Sequence, residues 1–120
     1  MNQEELSTVE QICTFPVDFR RIGNKSAVQM IQDIGLSSEK VFLLQEEIEQ
    51  FLHMRPDLVE AWLTWSDDKR VTSGWYFTEK SLEFVVGFHP KGDISRYRDK
   101  FAACAEFMVH EFSSICKSAC

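Results

Sequence analysis

Apolar residues along this chain repeat first at helical spacing and later with a period of two, and that change marks where helices give way to sheet. Asn2 followed by Glu5 has the form of a capping box, and Leu6, Val9 and Cys13 recur behind it at helical spacing. They predict a short first helix that ends before Pro16. Phe15, Val17 and Phe19 alternate with Pro16, Asp18 and Arg20, which predicts an edge strand near 15–21, where a proline is least disruptive. Ser26 is placed to cap a short helix carrying Val28 and Ile31, and Gly35 followed by Leu36 fits the close of that helix. Ser37 or Ser38 then opens a helix in which Val41, Leu44, Ile48, Phe51 and Leu52 fall within about 100° of one another. Glu46 and Glu49 point away from that stripe. Arg55-Pro56 reads as a break before another helix holding Leu58, Ala61, Trp62 and Trp65.

The period then shifts to two. Segments 71–77 and 82–88 are rich in aromatic and β-branched residues and are separated by polar Thr78, Glu79, Lys80 and Ser81, so they predict a β-hairpin. Leu82, Phe84, Val86 and Phe88 are expected on its buried face. Pro90, Lys91, Gly92 and Asp93 carry turn chemistry, and Asp93 or Ser95 is expected to cap a long final helix with the stripe Tyr97, Phe101, Cys104, Ala105, Met108, Phe112 and Ile115. A lone hairpin is marginal in water, so this helix should cover its apolar face. The expected class is α+β: one mostly helical domain over 1–120, with a small antiparallel hairpin or sheet, and a third strand near 15–21, packed on a long C-terminal helix.

Composition narrows the function classes. At 120 residues with ten Phe and three Trp the chain can bury a core of its own. Apolar runs reach about five residues, far below the roughly 20 of a membrane helix. The acidic start differs from a secretory signal, so a cytoplasmic location and reduced cysteines are expected for Cys13, Cys104, Cys116 and Cys120. Cys-His catalysis would need a thiolate beside His53, His89 or His110, a meeting in space that sequence does not show, and Cys13 and Cys104 lie on apolar helical stripes, where buried inert thiols are the usual finding. No CxxC or HExxH occurs, so no metal, cofactor or catalytic residue is expected.

Charge adds the one polarised feature. Residues 41–68 hold Glu46, Glu47, Glu49, Asp57, Glu60, Asp67 and Asp68 against Arg55 alone, which equals the formal net charge of -6 and leaves 12 acids and 12 bases elsewhere. Such a surface attracts basic protein and repels nucleic-acid phosphate. Phe42 and Leu43 lie off the core stripe, and Tyr76 is the member of Trp75-Tyr76-Phe77 expected to face outward, so apolar contact area is expected beside the charge. The partner-binding set is therefore Glu46, Glu47, Glu49, Asp57, Glu60, Asp67, Asp68, Phe42 and Tyr76. A solvated helix face is the plainer reading of the same charges. A homo-oligomeric regulatory or structural subunit is the competing function, ahead of a Cys/His enzyme.

Trp62-Leu63-Thr64-Trp65-Ser66, Asp67-Asp68-Lys69-Arg70, Ser73-Gly74-Trp75-Tyr76-Phe77, Val85-Val86-Gly87-Phe88 and the Ala-rich segment 101–109 together resemble small bacterial immunity proteins of contact-dependent or other polymorphic toxin systems. The likeness covers roughly the second half of the chain. It implies a cytoplasmic protein that binds one cognate toxin domain, often a nuclease, and blocks its active site or substrate surface.

Overall fold

The computed structural model describes residues 3–35, 37–68 and 74–119; the expected Asn2 cap, the Leu36 contact, Lys69, Arg70, the first expected hairpin residues 71–73 and Cys120 lie outside them. Within the described residues the chain runs α1 (Gln3–Cys13), α2 (Phe15–Ile22), α3 (Ala27–Ile34), α4 (Ser38–Leu43), α5 (Gln45–Met54), α6 (Asp57–Asp68), β1 (Gly74–Lys80), β2 (Glu83–His89), β3 (Gly92–Tyr97) and α7 (Lys100–Ala119). The strands form an antiparallel sheet in the order β1-β2-β3. It packs against α7, and the fold is α+β.

The helices form largely where spacing and caps predict. Ser26 accepts from the Gln29 N–H and Ser37 from the Lys40 N–H, each satisfying a backbone donor that a helix start leaves unpaired. Gly35 closes α3 in the left-handed conformation at φ 80°, which an L side chain adopts only with strain. The predicted stripe Val41, Leu44, Ile48, Phe51 and Leu52 is buried throughout, although it spans α4 and α5 with a break at Leu44.

Segment 15–21 is helical and does not form the expected strand. Phe15 and Phe19, four residues apart, stack on one helix face at 6.2 Å, Val17 is 48% exposed, and Pro16 occupies the first turn, where its missing N–H costs nothing. Alternation over five residues also satisfies an i, i+4 pair, so both periods fit the same letters.

The third strand lies elsewhere. Asp93 and Ser95, expected as helix caps, belong to β3, and Tyr97 ends that strand. The capping role falls to Asp99, whose Oδ1 accepts from the Phe101 N–H at 2.9 Å. The hairpin is also tighter than expected: Lys80 pairs with Glu83, leaving Ser81 and Leu82 as a two-residue turn with φ of 48° and 72°. Leu82 is accordingly 89% exposed and is no part of the buried face, which holds Val86 with Phe84 packed against the core.

Helix α7 is the centre of the molecule. Ala103, Cys104, Ala105, Phe107, Met108 and Val109 are fully buried, so the helix is covered nearly all round, with α3, α4 and α5 on some sides and the sheet on another. Trp62 anchors α6 to this core. Its indole is fully buried among Phe15, Phe107 and Phe112, and its Nε1–H donates to the Cys13 carbonyl at 3.1 Å.

Candidate functional site

The seven acids of 41–68 do not form one plate. Helix α5 lies on α1 and α7, whereas α6 lies chiefly on β1, so their outer faces look from different parts of the molecule. Two acids have cationic partners: Asp57 binds the Arg55 guanidinium at 3.0 Å, and Asp68 binds Arg20 of α2 at 2.8 Å. The Arg55 hydrogen bond holds the Asp57 carboxyl below the usual range. Glu46, Glu60 and Asp67 are exposed, and among the described residues no ion pair engages them. Glu47 and Glu49 are half-buried. Glu49 lies beside His53 and Asp99.

Asp67 and Tyr76 do meet. They line a groove of about 320 Å³ between α6 and β1, together with Leu63, Trp75 and His89. Two features fix its walls. Ser66 Oγ accepts from the Phe77 N–H at 2.7 Å, tying the end of α6 to the outer edge of β1. Glu60, Leu63 and Asp67 recur at i, i+3 and i+7, so the helical repeat puts an acid at the groove and another two turns along the same side of α6.

Aromatic rings continue from the groove to Phe42. Trp75 stacks on His110 at 3.9 Å and 7°, His110 meets Phe42 edge-on at 5.5 Å, and the other side of Trp75 meets Phe88 at 5.3 Å. Phe42 is 42% exposed and neighbouring Leu43 is 80% exposed, as their place off the stripe predicts. Burial lowers the His110 pKa, the Glu106 carboxylate opposing that shift, so the ring in this row favours its neutral form.

Tyr76 faces away from α7, over Gly87 of β2, where any added Cβ would strike the phenol ring and the Gly92 carbonyl. Its hydroxyl donates to Asp93 at 2.6 Å, and Lys80 and Arg96 pair with the same carboxylate at 3.3 and 3.0 Å. Burial first, then the Asp93 hydrogen bond and charge, push the Tyr76 pKa up to about 12. The hydrogen bond from Tyr76 is the leading reason that the Asp93 carboxyl is held low. The sequence pattern named His89 and His110 only as candidate bases and Asp93 only as a turn or cap residue, and placed none of them at this end of the molecule. The only sequence signal for them was an aromatic or turn neighbour.

Two of the thiols, Cys13 and Cys104, are buried. Burial pushes Cys13 up to about 12 and Cys104 well above its ordinary value, so both stay protonated at neutral pH. No protein-family model matches the chain, and no curated protein or solved structure matches it. No helix among the described residues is long and apolar enough to cross a membrane.

Proposed function

We propose that this chain is an immunity-type protein that binds a cognate toxin domain with a basic surface, such as a nuclease, and neutralises it by occupying that surface. The observation that carries the reading is the groove between α6 and β1, whose lining includes exposed Asp67 together with Trp75 and Tyr76. Aromatic anchors beside unpaired charge suit a lysine- or arginine-bearing element, because a ring face and a carboxylate both attract the cation. A nuclease must present such cations to phosphate. Glu60 extends the negative side of the groove along α6, and Glu46 lies on the separate face of α5. Asp57 and Asp68, already paired with Arg55 and Arg20, contribute less to the field.

The test is whether a protein domain encoded beside this gene is toxic when expressed alone, and whether this chain binds and neutralises it. Wild-type protein should protect cells that express the domain, and Glu60→Lys with Asp67→Lys should slow association by about tenfold or more, most clearly at low salt. Protection that survives both reversals with an unchanged association rate would remove this groove from the interface.

A further inference from the structure

We propose that Glu49, His53 and Asp99 form a binding site for one divalent transition-metal ion of the zinc type. The ligating atoms of the three side chains lie within 4.8 Å of one another. Around an ion with donors at about 2.0–2.2 Å, neighbouring ligands stand about 3–4 Å apart, so small side-chain rotations close the set. One imidazole nitrogen with two carboxylate oxygens selects a borderline ion over calcium or magnesium, which favour oxygen alone.

Two of the three ligands come from α5, where Glu49 and His53 at i and i+4 share a helix face. Asp99 comes from the start of α7, far away in the sequence. A single residue contacts a ligand from each segment: the Phe101 ring packs on the His53 imidazole at 4.0 Å, and the Phe101 N–H donates to Asp99 Oδ1 at 2.9 Å. That hydrogen bond leaves Oδ2 of Asp99 for an ion. Outer contacts of this kind fix ligand orientation in metal sites. His53 makes no hydrogen bond or ion pair with another described residue, so its ring nitrogens are not committed elsewhere. Lys100, next to Asp99 in the chain, holds its ammonium over the Phe101 ring at 5.3 Å. Three protein ligands leave a coordination position open to water or to a partner's side chain. A bound ion would tie α5 to the β3–α7 junction and neutralise Glu49 within the acidic stretch.

Calorimetric titration of the full chain with zinc chloride tests the site, using His53→Phe, which keeps a ring on Phe101, Asp99→Asn, which keeps the cap, and Glu49→Gln. Glu46→Gln is the control, an exposed acid of the same helix outside the set. The expected result is one ion per chain, weakened about tenfold or more by each of the three substitutions and unchanged by the control. At one zinc concentration the rise in melting temperature should be larger for the wild type and control than for the three variants. Absence of saturable binding, or wild-type affinity in His53→Phe, overturns the proposal.

Discussion

The α6–β1 groove and the outer face of the sheet share strand β1, yet they treat a carboxylate in opposite ways. On the sheet, Asp93 accepts from Tyr76 and pairs with both Lys80 and Arg96. In the groove, Asp67 is exposed and no described cation reaches it. Acid count therefore does not distinguish a binding surface from a structural one; what the acid already touches does. A satisfied carboxylate fixes local structure, whereas an unsatisfied one lends its charge to a partner.

The largest expected effect comes from Gly87→Ala. A methyl group there displaces Tyr76 and the Gly92 carbonyl, so unfolding should become easier by about 1–3 kcal/mol in denaturant titration. The Tyr76 phenol should at the same time ionise nearer its ordinary value of 10 in a spectrophotometric titration. If stability and titration are both unchanged, the sheet face is not organised around that ring. Next is the tip of the same hairpin, where Ser81 and Leu82 both hold positive φ. Replacing them with Asn-Gly, which suits this turn, should stabilise the protein by roughly 1 kcal/mol.

A direct contrast of the two regions needs only neutral isosteres. Asp93→Asn should lower the melting temperature, whereas Glu60→Gln and Asp67→Asn should leave it unchanged or raise it by relieving repulsion. Equal losses in all three would erase the distinction between structural and available charge. The smallest effect concerns the aromatic row beside the groove. The His110 pKa is depressed below 6.5 in the folded protein, so the unfolded chain binds the extra proton first and stability declines as pH falls below about 6.5. The lowered carboxyl groups of Asp57 and Asp93 act only in the more acidic carboxylate range. Melting curves at pH 7.5 and 5.5 should therefore show a loss that His110→Gln reduces.

Much of the fold was legible because local chemistry and tertiary packing agreed. The Ser26 and Ser37 caps, the Gly35 close, the break at Arg55-Pro56 and the buried stripe from Val41 to Leu52 each combine a turn or cap signal with one hydrophobic period. Where only one of these was present, the reading failed. Phe15 and Phe19 fit a strand and a helix equally, and edge-on contact of each ring with Trp65 at 5.3 Å accompanies the helix. Asp93 and Ser95 are good caps by residue type, but pairing of β3 with β2 claims both. The candidate site was legible only as a list of acids and exposed aromatics.

By itself, the sequence determined the helical stripes, most of their ends, the strand-forming segment and the concentration of negative charge, because each depends on residues close together along the chain. Tertiary structure decided which carboxylates find a cation, which aromatic rings meet, and that Asp67 and Tyr76 share a groove while Glu49 joins His53 and Asp99. The physical reason is range. Propensity and periodicity act within a few residues, but a binding surface is made by side chains that the packing of α6 on β1 and of α5 on α7 brings together.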